Sequence, residues 1–467
     1  MMKQFFYPSS IVVFGVKDDP KNLAKNIIAN CDEMEFKGKL FPVGRTTGKV
    51  FGRTIITDPK VLPNDIELAV ILVPADLVPG TLEICGQKGI RHAIISSGGF
   101  REFNKNGKTV EKNVVAIAKQ YGIRFIGPNC IGVICSNSGL CTPFSPLQPK
   151  NFKKGKVSVV CQSGGVSIQI AYHFSEEHLG FSKIISIGNK LDLNETDYLA
   201  YLLKDPETSQ VHLYLESIDH GRKLMQLARE TEKPIIIYKS NIGSTSSEVA
   251  RSHTAALSSD ERIINGAFRQ TGIVRADSIH DMTVCAKALQ LRPLTGDQLV
   301  VISLSGGFSV ILGDTCENYG FSCPQLPPAL IKDIESFRRG GVIQMSNPMD
   351  FGDVHNYEGL IFALEKCLAL DFIDGMVLSL MYGPDMACFF GTEYEAYNTF
   401  LDFLSNLSQR FNKPIALSFF AERRFIDTFK KSNVFPVFND PIESVRALRK
   451  NRDYWKVKKH ISTIRSC

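Results

Sequence analysis

Tryptophan occurs once in the 467-residue chain, and several larger features are missing altogether. No apolar run approaches the roughly 18 residues that a membrane-spanning helix requires, so a membrane protein of the helical type is not expected. The start, Met1-Met2-Lys3-Gln4-Phe5-Phe6-Tyr7-Pro8, lacks a long apolar stretch and runs into the strand-like Ile11-Val12-Val13-Phe14, so the expectation is a cytoplasmic protein without a secretory signal. The 12 cysteines contain no C-x-x-C pair, which removes a disulfide framework and reads as reduced core residues. Cys130, Cys135 and Cys141 cluster, yet no histidine stands beside them at zinc-ligand spacing, so no metal site is expected there. The formal net charge is only +6, and a basic stripe of the kind that binds nucleic acid is absent.

The composition, 44% hydrophobic and 22% charged, is instead that of a chain with several packed cores. Its length corresponds to roughly three domains at about 150 residues each. Over residues 1–150 short apolar runs (11–16, 39–43, 68–73, 92–96 and 124–126) alternate with amphipathic stretches such as 22–30 and 110–121. Continuous apolar strands separated by helices predict a parallel sheet covered on both faces, a Rossmann-like domain. The Pro- and Lys-rich segment 147–155 reads as a linker.

Beyond it the sequence repeats itself. Val157-Ser158-Val159-Val160-Cys161-Gln162-Ser163-Gly164-Gly165 returns as Leu299-Val300-Val301-Ile302-Ser303-Leu304-Ser305-Gly306-Gly307, and Lys233-Pro234-Ile235 returns as Lys413-Pro414-Ile415. Asn189 with Asp192 is echoed by Asn347 with Asp350, and Asp277-Ser278-Ile279 and Asp440-Pro441-Ile442 each open a helix closing on Ala-Leu. Two flavodoxin-like α/β units over 151–295 and 296–467 are therefore expected. They differ in one place. The first copy carries the Ser-rich run 240–259 with His253, and Glu216 at the end of a strand; the second has a plain helix and Met381.

Each motif has a bland reading beside its functional one. A strand ending in Ser-Gly-Gly and turning into a helix offers bare amide N–H groups and the positive end of the helix dipole to an anion, or is simply a tight turn needing glycine. His253 is a nucleophile oriented by the Glu216 carboxylate, or a solvated histidine in a flexible linker. In the first domain Gly15-Val16-Lys17, Val73-Pro74 and Ser97-Gly98-Gly99-Phe100 follow strands at their carboxyl ends, where open α/β sheets bind ligands. The dinucleotide fingerprint G-x-G-x-x-G is missing, which disfavours an NAD-dependent dehydrogenase.

Six motifs in order extend these readings: Gly127-Pro128-Asn129-Cys130-Ile131-Gly132-Val133, Gln162-Ser163-Gly164-Gly165, Ile187-Gly188-Asn189-Lys190, Asp205-Pro206-Glu207-Thr208, Ser252-His253-Thr254 and Ser346-Asn347-Pro348. Through them the chain resembles, over essentially its full length, the alpha subunit of ADP-forming (NDP-forming) acyl-CoA synthetases, relatives of succinyl-CoA ligase. The resemblance implies a CoA-binding domain (1–150), a ligase domain with a phosphohistidine loop (151–295) and a second ligase domain (296–467). It implies that His253 is phosphorylated, that Glu216 orients it and that Ser163, Gly164 and Gly165 hold the phosphate. Gly15, Lys17, Val73, Pro74, Ser97, Gly98, Gly99 and Phe100 would line the CoA site, with Asn129 and Cys130 near the thiol end. The implied reaction joins a small carboxylic acid to CoA with ATP, through an acyl phosphate. Three domains exhaust the chain, so ATP/ADP and Mg are expected on a separate ATP-grasp beta subunit in a hetero-oligomer. A non-catalytic CoA-binding regulatory module is the alternative within the same fold.

Overall fold

The computed structural model describes residues 2–101, 105–243, 260–338, 340–341, 343–352, 354, 356–381, 394–432 and 434–466. The apolar runs of the first segment form β1 (Ser10–Phe14), β2 (Lys39–Val43), a small hairpin of β3 (Lys49–Val50) and β4 (Arg53–Thr54), β5 (Leu68–Ile71), β6 (His92–Ile95) and β7 (Arg124–Ile126). The five-stranded sheet is parallel in the order β2-β1-β5-β6-β7. Strands β1 and β5 are buried along their whole length, as a sheet covered on both faces demands. Helices α1 (Leu23–Glu33), α2 (Val78–Gln87) and α3 (Lys105–Tyr121) form its crossovers. α1 buries Ala24, Ile27, Ile28 and Cys31, the three-four spacing of one helix face.

The second sheet contains β8 (Gly132–Cys135), β9 (Leu140–Cys141), β10 (Lys154–Cys161), β11 (Phe181–Ser186), β12 (Gln210–Leu215), β13 (Ile235–Lys239) and β14 (Val274–Ala276). Its order is β14-β13-β12-β10-β11-β8-β9, with β8 antiparallel to β11 and to β9. The short pair β8 and β9, which the periodicity of the first segment does not separate from its neighbours, thus extends the second sheet rather than the first. Helices α4 (Gly164–Glu176), α5 (Glu195–Lys204), α6 (Gly221–Glu230) and α7 (Glu261–Thr271) belong to this segment; α8 (Ile279–Ala288) follows it, and its Val284 and Ala288 pack into the core of the chain's last segment.

The third sheet, β15 (Leu299–Ser303), β16 (Met349–Asp350), β17 (Gly375–Met381), β18 (Ile415–Phe420) and β19 (Val437–Phe438), runs parallel in the order β16-β15-β17-β18-β19. Relabelled by their order along the chain, the parallel strands of all three sheets follow one pattern, 2-1-3-4-5. Contacts divide the chain into two compact units, Met1–Met282 and Thr283–Cys467, each with its own cores. The expected echo of Asp192 in Asp350 is not a structural one: Asp350 pairs with Ser303 as Ser186 pairs with Cys161, so strand register makes Ser186 its counterpart. The helix expected to close at Ala447-Leu448 runs on as Pro441–Ser466. No described helix is long and apolar enough to cross a membrane.

Candidate functional site

In a 2-1-3-4-5 sheet the chain leaves strands 1 and 3 in opposite directions, which opens a crevice between their carboxyl ends. In the first sheet this is where β1, β5 and β6 end. A crevice of about 370 Å³ there is lined by Lys17, Asp19, Lys21, Asn22, Leu23, Ala24, Leu72, Val73, Pro74, Ser97 and Gly98. Five of the ten CoA-site candidates, Lys17, Val73, Pro74, Ser97 and Gly98, therefore stand together. Gly15 lies beneath them, its carbonyl accepting from the Asn22 side chain at 3.0 Å. Asn22 also accepts from Lys17 N and caps α1 through Lys25 N, both at 3.1 Å, so one side chain joins the turn to the helix start. The Ser97 hydroxyl accepts from Val73 N at 3.1 Å and braces the floor. Neither Lys17 nor Lys21 has an ion-pair partner among the described residues, so two ammonium groups are left to meet phosphate charge, which fits a CoA-like polyanion.

The other candidates are placed differently. Phe100 is fully buried in the core of the first sheet, and Gly99 adopts a positive φ of 96° before it. Asn129 is exposed, donates its backbone N–H to Ser97 O at 2.9 Å and reaches Asn189 with its side-chain amide. Cys130 is buried, and burial pushes its thiol up to about 12, so it is a packing residue and not a thiolate at neutral pH. Among the described residues no group of three or more His, Cys, Asp or Glu has a metal-holding arrangement.

The same topological point in the second sheet lies between β10 and β12. Ser163 caps α4, its hydroxyl accepting from Val166 N at 3.5 Å. A Cβ on Gly164 would stand 2.8 Å from an Ile131 methyl carbon, whereas one on Gly165 would meet nothing within 4 Å, so the turn is packed on one side and open on the other. An open helix N-terminus of this kind accepts an anion. Glu216 follows β12 directly and is half-buried. Gln162 braces it: its Oε1 accepts from Glu216 N at 2.9 Å and Ser217 N at 3.0 Å. A second brace is the buried pair Lys190–Glu195, 3.0 Å apart, from which Lys190 also donates to the Ser217 carbonyl and hydroxyl and meets Asp219. Lys239, at the end of β13, donates to Glu216 O at 2.9 Å and to Ser240 O. His253 lies outside the described residues.

Gln162 and Lys190 belong to the motifs 162–165 and 187–190, but a motif does not show that their side chains hold a neighbouring strand end. A strand-by-strand comparison of the two copies would have singled out Lys239. The Asp205-Pro206-Glu207-Thr208 motif is structural: Asp205 and Glu207 hold the buried Lys183 ammonium at 2.7 and 3.1 Å, and Tyr7 donates to Glu207. In the third sheet the Ser305-Gly306-Gly307 turn has the same shape. There, however, a Cβ on Gly306 would lie 2.6 Å from the Asp350 carboxylate, and Ser305 makes no side-chain cap. A carboxylate already occupies the neighbourhood an anion would need, which argues against a second phosphate site.

Comparison with known proteins agrees with this layout. A CoA binding domain matches residues 9–136, and a succinyl-CoA ligase like flavodoxin domain matches residues 154–289. The chain is 34% identical over 352 residues to the acetate–CoA ligase (ADP-forming) II subunit alpha of Pyrococcus furiosus, covering 75% of this chain and 76% of that one. It is 32% identical over 352 residues to the acetate–CoA ligase (ADP-forming) of Methanocaldococcus jannaschii, covering 75% of this chain but 49% of that longer protein. A solved acetyl-coenzyme A synthetase 1 of Candidatus Korarchaeum cryptofilum, in complex with phosphate and ADP, superposes with a TM-score of 0.84 at 26% identity, covering 99% and 98% of the two chains.

Proposed function

The chain belongs to the ADP-forming acyl-CoA synthetase family, in its alpha-subunit-like branch, and from that premise we propose that it interconverts a small carboxylic acid, CoA and ATP with acyl-CoA, ADP and phosphate. Relatives carry the names acetate–CoA ligase and 4-hydroxybutyrate–CoA ligase, which supports a short acid. The nucleotide, with Mg, is handled by an ATP-grasp polypeptide. Relatives named subunit alpha support a separate partner, and this chain spans about half of the longer Methanocaldococcus jannaschii relative. The three-domain division at about residues 150 and 295 is part of the same proposal.

The observation that carries the reading is the meeting of an open helix N-terminus, Ser163-Gly164-Gly165, with Glu216 across one topological switch point, in the copy whose sequence also carries His253. Glu216 accepts a hydrogen from one imidazole nitrogen of His253 and leaves the other free. That nitrogen attacks the phosphorus of an acyl phosphate; the N–P bond forms, the acyl P–O bond breaks, and the carboxylate leaves with the electron pair. The Ser163–Gly165 amides face the phosphoryl charge, worth about 0.3 to 2 kcal/mol per favourable placement. The crevice at Lys17, Val73, Pro74, Ser97 and Gly98 holds CoA.

The test is phosphorylation by acyl phosphate, or by ATP with the partner. The wild type acquires an acid-labile, base-stable label. His253→Ala loses the label and the overall reaction yet still binds CoA by calorimetry, because the CoA crevice lies on another sheet. Turnover of His253→Ala at the wild-type rate refutes the phosphohistidine route. Tight NAD binding without CoA binding returns the dehydrogenase.

A further inference from the structure

Lys239 is 1% exposed, yet it carries an ammonium at the carboxyl end of β13. Buried charges are costly unless their hydrogen-bonding capacity is used. Here two backbone carbonyls use it: those of Glu216, on the neighbouring strand end, and of Ser240, the next residue. One side chain therefore ties the residue that bears the candidate orienting carboxylate to the point from which the chain leaves toward His253. The next residue but one, Asn241, is 5% exposed, has a positive φ of 58°, and leaves both amide atoms without a hydrogen-bond partner among the described residues.

The duplicated sheet supplies a built-in control. In β12 and β13 Leu215 pairs with Lys239; in β17 and β18 Leu380 pairs with Phe419. Phe419 is likewise buried and stacks on Phe429 at 4.1 Å. This strand position thus packs with an apolar ring in the copy that has Met381 and a plain helix. The fold does not require a cation there. The cation appears only beside Glu216.

We propose that Lys239 is a positioning residue for phosphoryl transfer, clamping the Glu216 strand end to the base of the His253 segment. The proposal rests on the function argued above and deepens it. The charged groups around Lys239 are Glu216 just after β12, Lys190 after β11, and Arg275 on β14, the last paired with Glu261 at 2.8 Å. Burial pushes the Lys239 ammonium down to about 8; Glu216 opposes this, and Lys190 and Arg275 add to it. The sign follows directly. Below pH 8 the ammonium and its clamp are intact, and above it the charge is lost.

The experiment follows the rate of phosphohistidine labelling by acyl phosphate between pH 6.5 and 10, in wild type and Lys239→Met. Wild-type labelling is expected to fall on the alkaline side with a midpoint near pH 8. Lys239→Met keeps its CoA affinity, labels about 10-fold or more slowly at pH 7, and lacks that alkaline limb. A purely structural lysine would not move the pH profile. If Lys239→Met folds poorly, Lys239→Arg carries the test: its charge persists, so its limb moves above pH 10. A labelled wild type whose Lys239→Met variant matches it in rate and limb overturns this proposal alone, as does a limb left near pH 8 in Lys239→Arg. A wild type that takes no label overturns the assigned function with it.

Discussion

Replacing Gln162 with Leu removes the brace beneath Glu216 while nearly conserving side-chain volume. Gln162 is 8% exposed, and its Oε1 is the acceptor for both Glu216 N and Ser217 N. Each amide donor stripped of its partner in such a site costs about 1 to 3 kcal/mol. At about 0.59 kcal/mol for RT, this lowers hydrogen-exchange protection at 216 and 217 by roughly 5- to 150-fold each. Gln162→Glu separates bracing from charge, because a carboxylate accepts both N–H groups as well or better. Its protection is expected to stay at or above wild type. The new negative charge beside Ser163-Gly164-Gly165 instead opposes phosphate by about 0.3 to 2 kcal/mol, slowing histidine labelling roughly 2- to 30-fold. Amide exchange by mass spectrometry or NMR reads the first effect, and labelling kinetics the second. Unchanged protection at 216 and 217 in Gln162→Leu refutes the brace.

Gly15→Ala should fail structurally, since a Cβ there would stand 2.0 Å from the Leu72 carbonyl oxygen at a φ of +94°. A loss of stability above about 2 kcal/mol, read from chemical denaturation, is the expected outcome, and a neutral effect would show that β1 and β5 do not meet as described. His212 concerns acid stability. Burial pushes its imidazole down to about 3, so the unfolded chain binds a proton below about 6.5 that the folded chain refuses until pH 3. Stability thus falls as pH drops through that window. Between pH 6.5 and 4.5 His212→Asn should lose about 2 kcal/mol less than wild type in urea titrations; an identical fall in both removes His212 as the cause.

Local pattern was enough to expect three parallel α/β segments, because a strand buried on both faces and an amphipathic crossover each leave a signature within ten or so residues. The turns at Gly15, Val73-Pro74, Ser97-Gly98 and Ser163-Gly164-Gly165 were legible for the same reason: the glycine or serine needed at a strand-to-helix turn sits in the turn itself. The repeat, and the confinement of Glu216 and the His253 run to one copy, required only comparison of the chain with itself.

What depended on tertiary structure involves partners far apart in sequence. Gln162 reaches 54 residues to Glu216, and Lys239 reaches 23 back to the same residue. The placement of β8 and β9 in the second sheet follows from pairing with β11, not from their own pattern. Asp350 faces Gly306 because strand register, rather than the spacing from Asn347, decides what stands at a strand end. Phe100, read as lining a ligand, is buried in the core, since a residue's distance from a glycine turn says nothing of which way packing turns its side chain. Sequence periodicity reports the face each residue prefers; which distant residue it meets there is set by the packing free energy of the whole sheet.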